Sequence, residues 1–284
     1  MNRRTPTPDS ESNAASARLL EDERLIAEVI DIARRAGAAI LDVYRSVEIR
    51  HSAKADNSPL TAADLRSHQL ILTALARLTP AIPVLSEEAP PVPAAERAGW
   101  RCYWLIDPLD GTREFLSRNG EFTVNIALII DAEPRLGVVH APVLDRLYWG
   151  QPGHGAWRMD GTGRPDAIRA RAHAADPVRV VGSRSHRGDS LDAFLARLGP
   201  HEFTPIGSSL KFCLIAEGAA DVYPRLGPTS KWDTAAAHAV VVAAGGVVVD
   251  TAGVPLAYAA TGDLRNPSFV AYADRERDWL ALLK

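Results

Sequence analysis

The sequence has little cysteine, few aromatic residues and no surplus of charge of either sign. Its two cysteines, Cys102 and Cys213, stand more than a hundred residues apart. That excludes a disulfide framework and suits a reducing compartment, with both thiols expected in the core. No apolar run approaches the length of a membrane span. The first eighteen residues, MNRRTPTPDSESNAASAR, lack the apolar stretch of a signal peptide and read as a disordered tail, residues 1–18, so a cytoplasmic protein is expected. The 32 basic and 35 acidic residues leave a formal charge of -3. No basic stripe is present, which disfavours a nucleic-acid polymer as partner. A small anionic ligand stays compatible, because a bound metal or a few local cations outweigh a mildly negative total. No fixed-period repeat occurs, which argues against a solenoid or propeller.

What is present is 284 residues with 46% apolar content, enough for one large or two modest domains with their own buried core. Leu25, Val29, Ile32, Ala36, Ile40 and Val43 recur at helical spacing and predict an amphipathic helix from Leu19 to Arg45. After a loop, KADNSPLT, a second helix is expected over AADLRSHQLILTALARL, and the strand IPVL then leaves Ser86, Glu87 and Glu88 at its end. RCYWLI reads as a buried strand ending at Asp107, followed by TVNIALII, RLGVVHAPV and RLYWG as strands of a largely antiparallel sheet. Turn residues from Gly161 to Pro177 place a domain boundary near residue 170, between an α+β unit (19–170) and an α/β unit (171–284). In the second unit VRVVGS, VVVD and FVAYA alternate with helices near LDAFLARL, SLKFCLIAEG and TAAAHAVVVAAGG.

The chemistry concentrates in Asp107-Pro108-Leu109-Asp110-Gly111-Thr112. Pro108 restrains φ and Gly111 permits a sharp turn, so that Asp107 and Asp110 can converge on one point. Converging carboxylates demand a counter-charge, and oxygen-only ligands suit hard Mg²⁺. A helix starting at Gly111 and Thr112 would offer amides to a phosphate beside the metal. On its own DPLDG reads equally well as a simple turn. Glu87, at the end of its own strand, and Asp233, expected as the N-cap of TAAAHAVVVAAGG, shift the reading toward a metal site.

Three ordered motifs, SEE, WLIDPLDGT and WDTAA, resemble those of the inositol monophosphatase superfamily of metal-dependent, lithium-sensitive phosphatases. KADNSPLTAAD, RNGEFTVNIAL, GSRSH, GSSLKFCLIAEG and DVYPRLGPT resemble its CysQ-type 3'(2'),5'-bisphosphate nucleotidase branch. The resemblance implies an α+β fold, a layered α-β-α-β-α sandwich. It implies two or three Mg²⁺ ions, one engaging Glu87, Asp107 and the Leu109 carbonyl, another Asp107, Asp110 and Asp233. Asp64 would pair with the Thr112 hydroxyl to orient or deprotonate the attacking water. Gly111, Thr112, His186, Ser208, Lys211, Arg225 and Asp233 would contact the substrate. Lys211 and Arg225 could bind a second phosphate, although a lone Lys or Arg reads equally as a solvated surface residue. His68, His140 and His238 show no metal-ligand spacing and read as surface or satisfied core residues. Two positions depart from the pattern: Ala237, where Gly is usual, questions close helix packing, and Lys231 stands where an uncharged residue is often found and could alter substrate affinity. The implied reaction is hydrolysis of adenosine 3',5'-bisphosphate, or of its sulfated analogue, in recycling a by-product of sulfate assimilation. Inositol monophosphate and fructose 1,6-bisphosphate hydrolysis are the alternatives within the class, and a catalytically silent nucleotide- or metal-sensing protein is the alternative outside it. A homodimer and a peripheral place on the inner face of the cell membrane stay open.

Overall fold

The computed structural model describes residues 19–48, 58–184 and 188–284. The expected tail 1–18, Lys54 at the start of the KADNSPLT loop, and His186 lie outside the described residues.

Two helices, α1 (Glu23–Glu48) and α2 (Ser58–Leu78), pack on each other and on one face of a seven-stranded sheet. Its strands are β1 (Val84–Ser86), β2 (Cys102–Asp110), β3 (Thr123–Ile130), β4 (Glu133–Ala141), β5 (Arg146–Gln151), β6 (Gly155–Asp160) and β7 (Asp166–Ile168), in spatial order of sequence. β1 runs parallel to β2 and every other neighbouring pair is antiparallel. Side chains alternate across such a sheet. Trp104 and Ile106 of β2 and Val124, Ile126 and Leu128 of β3 face α1 and α2, while Tyr103, Leu105, Ala127 and Ile129 face a second core. Because both faces are covered, these strands read as unbroken apolar runs.

The second core holds α6 (Leu210–Ala216) and α7 (Ala235–Ala243), which lie between the first sheet and a five-stranded mixed one. That sheet has the order β11-β12-β10-β8-β9, built from β8 (Val178–Ser183), β9 (His201–Ile206), β10 (Val222–Arg225), β11 (Val247–Asp250) and β12 (Phe269–Tyr272). Its far face is covered by α5 (Asp189–Leu198), through Leu191, Phe194, Leu195 and Leu198, and by Trp279. Two short helices, α3 (Ala94–Arg97) and α4 (Thr112–Leu116), lie in the connections flanking β2. The layers run α-β-α-β-α, the α+β sandwich expected.

Several local readings change. α2 begins at Ser58, so Ser58 to Thr61 are helical where a loop was expected; Pro59 sits in the first turn, where its missing N–H costs no hydrogen bond. β2 does not end at Asp107 but continues to Asp110 past an irregularity, with Asp107 opposite Asn125 and Asp110 opposite Thr123. β9 and β10 escape the sequence pattern because each contains a proline, Pro205 and Pro224. β9 is an edge strand, and β10 pairs with β8 only at Val222, so neither proline interrupts a continuous ladder. Cys213 is fully buried, but Cys102 only in part. Ala237 itself is fully buried, and the close approach of α7 to the sheet is made from the strand side: a Cβ at Gly137 would collide with the Ala236 carbonyl.

Candidate active site

Asp107 closes the regular ladder of β2, and its Oδ1 accepts the Leu109 N–H at 3.0 Å, which turns the chain at Pro108. Gly111 then adopts φ 101° and caps α4. A Cβ there would strike the Ser208 hydroxyl, which lies 2.8 Å from the Asp110 carbonyl and 2.6 Å from that of Glu121. The Glu121 carboxylate takes the Gly207 N–H at 2.8 Å and pairs with Arg184 at 2.7 Å, fixing the turn before α6 against the DPLDGT segment. α4 has five residues, so an anion at its start meets the free amides of one turn rather than a long helix dipole.

Carboxylate oxygens of Glu87, Asp107 and Asp233 lie within 4.8 Å of one another. β1 delivers Glu87, whose N–H donates to the Ile106 carbonyl. Asp110 accepts from Asn125 Nδ2 and Thr123 Oγ1, both at 3.4 Å. Asp233 is not the N-cap expected of it. Thr234 holds that position, and Asp233 Oδ2 instead accepts the backward-reaching Ser230 N–H at 2.8 Å, leaving the carboxylate aimed at the cluster. Asp64 approaches the group from α2, beside Glu88; its Oδ1 is buried without a hydrogen-bond partner, and the expected bond to the Thr112 hydroxyl is not among its contacts.

A cavity of about 300 Å³ opens over this cluster. Of the expected residues, Glu87, Asp107, Leu109, Asp110, Gly111, Thr112, Ser208, Lys211, Arg225 and Asp233 line it, and Asp64 does not. Glu114, Ser183, Tyr223 and Thr229 also line it and were not anticipated; Ser183, inside GSRSH, and Tyr223 and Thr229, inside DVYPRLGPT, carried a signal, and Glu114 did not. Lys211 is buried, with Nζ 2.5 Å from the Ser208 carbonyl and 5.6 Å from the centre of the Tyr223 ring. Arg225 donates from Nη2 to the Pro228 carbonyl at 2.8 Å, and its Nε is buried without a partner. Neither is the solvated surface cation that the bland reading allowed. Lys231 is buried too, but it does not line the cavity and donates to the Ala259 carbonyl at 2.9 Å. His68, His140 and His238 are buried and hydrogen-bonded to Ser86 Oγ, the Ala33 carbonyl and the Tyr258 hydroxyl.

Burial, followed by mutual repulsion, raises the proton affinity of every carboxylate in the cluster. Glu87 and Asp233 are pushed up to about 7 and Asp64 to about 8, and Asp107 rises well above the ordinary range. Asp110 is raised as well, burial outweighing the attraction of Lys211. Burial lowers Lys211 to about 8. A group of oxygen donors whose charges repel this strongly fits a hard divalent cation, which would remove both costs.

The metal-free protein should therefore lose stability as pH rises through neutrality. In the unfolded chain these carboxyls ionise near about pH 4, so in that window the folded chain holds more protons than the unfolded one and stability falls with rising pH. The buried imidazoles act oppositely below about pH 6.5, since His140 and His238 are lowered to about 4 and about 3. Lys211 opposes the trend only above its value of about 8. The clean interval is about pH 6.5 to about pH 8. We expect the melting temperature of chelator-treated protein to drop across it, and saturating Mg²⁺ to cancel the drop. A flat profile without metal would mean that the carboxylates are not crowded in the folded protein.

Residues 21–278 match the sequence profile of the inositol monophosphatase family. The chain is 52% identical over 246 residues to the 3'(2'),5'-bisphosphate nucleotidase CysQ of Salmonella typhimurium, covering 86% of this chain and 98% of that protein. It is similar to the crystal structure of CysQ from Bacteroides thetaiotaomicron, a bacterial member of the inositol monophosphatase family, with a TM-score of 0.79 and 41% identity over 90% of this chain and 99% of that one. An inositol monophosphatase from Anabaena gives a TM-score of 0.69 at 25% identity, over 92% of this chain and 95% of the other.

Proposed function

The chain belongs to the inositol monophosphatase family, and on that premise we propose that it is a Mg²⁺-dependent 3'(2'),5'-bisphosphate nucleotidase that hydrolyses adenosine 3',5'-bisphosphate to AMP and phosphate. The observation that carries this reading is one cavity that places a carboxylate cluster and two cations, Lys211 and Arg225, on the same walls. A monophosphate ester needs only the first.

Glu87, Asp107 and the Leu109 carbonyl would hold one Mg²⁺, and Asp107, Asp110 and Asp233 a second. Bound there, the metal supplies the positive charge that polarises the phosphoryl group and steadies the leaving oxygen. The protein supplies the rest. The amides at Gly111 and Thr112 meet the scissile phosphate, and Asp64 takes the proton of the attacking water, a role for which burial and its neighbour Glu88 raise its proton affinity. The Thr112 hydroxyl orients that water. Lys211 and Arg225, which line the same cavity, hold the second phosphate. Activity is cytoplasmic in this reading.

The test is a ratio. Arg225→Ala, and Lys211→Met, which keeps the buried stem, should each lose about 5- to 150-fold in kcat/KM on adenosine 3',5'-bisphosphate, equivalent to roughly 1 to 3 kcal/mol for one charge-assisted hydrogen bond. Turnover of a 3'- or 2'-monophosphate should change little. An unchanged ratio would mean that neither cation reads a second phosphate, and would favour an inositol or sugar phosphate.

A further inference from the structure

Asp233 reaches the carboxylate cluster from a turn, residues 229–234, that leads into α7. Its carboxylate is aimed by one local bond, from the Ser230 N–H. What holds Ser230 comes from far along the chain. Asn266, in the segment between β11 and β12, is 9% exposed and does not line the cavity. Its Nδ2 lies 2.7 Å from the Ser230 carbonyl, 3.2 Å from Thr229 Oγ1 and 3.0 Å from Thr234 Oγ1. Its N–H donates to the Thr229 carbonyl at 2.9 Å, and one residue earlier Arg265 bridges Ser230. The side-chain amide thus contacts the turn on both sides of Asp233. Thr234 Oγ1 lies 3.1 Å from the Tyr258 hydroxyl, which in turn is 2.9 Å from His238 Nδ1, so the far flank is tied into the core.

We infer that Asn266 is a positioning residue for metal binding: it sets the 229–234 turn so that the Ser230 N–H fixes the Asp233 carboxylate toward Glu87 and Asp107. This rests on the reading that Asp233 holds a metal ion. An amide suits the position because it presents two hydrogens to a carbonyl and two hydroxyls. A carboxylate there would repel the Ser230 carbonyl, and an apolar side chain would leave that carbonyl unpaired in a buried place.

The experiment is calorimetric titration of metal-free protein with Mg²⁺. Asn266→Ala should weaken binding about 10- to 100-fold, the range for partners that orient a ligand from behind. Asn266→Ser, which keeps one donor, should fall between it and the parent and decides the matter if the alanine variant does not fold. In steady state the Mg²⁺ concentration for half-maximal rate should rise by the same factor, while kcat at saturating Mg²⁺ stays near the parent value. The control is Thr79→Ala, which removes the buried Trp104 Nε1 hydrogen bond at a distant site. It should lower the melting temperature without moving Mg²⁺ affinity. Parent-like affinity in the Asn266 variants, or an equal loss in Thr79→Ala, would overturn the inference. Asp233→Asn separates the two levels: if it too binds Mg²⁺ like the parent, the ligand assignment fails and not the positioning.

Discussion

Asp107→Asn and Asp233→Asn should each lower turnover by about 10²- to 10³-fold, the scale for removing one preorganised electrostatic stabiliser, in proteins that melt no lower than the parent without metal. The two effects have opposite signs for one reason. Each carboxylate is held above its ordinary proton affinity by burial and by the others, so its charge is a cost to the metal-free fold. An amide of the same shape removes that cost. It also keeps the local geometry, because the amide oxygen introduced by Asp107→Asn can still accept the Leu109 N–H, and the one introduced by Asp233→Asn the Ser230 N–H. What is lost is a charged oxygen for the cation. A variant that melts higher but turns over slowly is the signature of a site whose strain serves function. Near-normal kinetics in a folded variant would exclude that residue as a ligand. The measurement pairs thermal denaturation in chelator with steady-state kinetics in Mg²⁺.

Much of this site is legible in the chain because its residues sit at the ends of apolar strands. RCYWLI has the unbroken apolar run of a doubly covered strand, so the acidic DPLDG after it comes out at that strand's C-terminal end. The same logic brings Glu87 out of IPVL. Asp233 is legible as a residue but not as a shape: a polar residue before TAAAHAV suggests an N-cap, and only the contacts of Ser230 show the carboxylate turned the other way. Asn266 carries no local signal, because its partners are 32 to 37 residues earlier in sequence and the segment around it has no periodicity. The strands β9 and β10 are hidden by their prolines, whose tolerance depends on edge position and register rather than on composition. The start of α2 is ambiguous for a related reason, as Ser-Pro favours a turn and a first helical turn alike. That Lys211 lines the cavity while the equally buried Lys231 is spent on the Ala259 carbonyl also depends on tertiary packing, since the two side chains are indistinguishable in sequence.

Chelation should have the largest effect of all. Lys211, whose charge acts on Asp110, is already committed to the Ser208 carbonyl and beset by burial. Without metal, a phosphate dianion entering the cavity would meet crowded carboxylates and be repelled, so turnover should fall to background rather than to a residual fraction. The most direct test is phosphate release from adenosine 3',5'-bisphosphate and from inositol 1-phosphate, each with Mg²⁺ and after thorough chelation. The account predicts Mg²⁺-dependent release that is far faster on the bisphosphate and disappears with chelator; undiminished release after chelation, or a preference for the inositol phosphate, would contradict it.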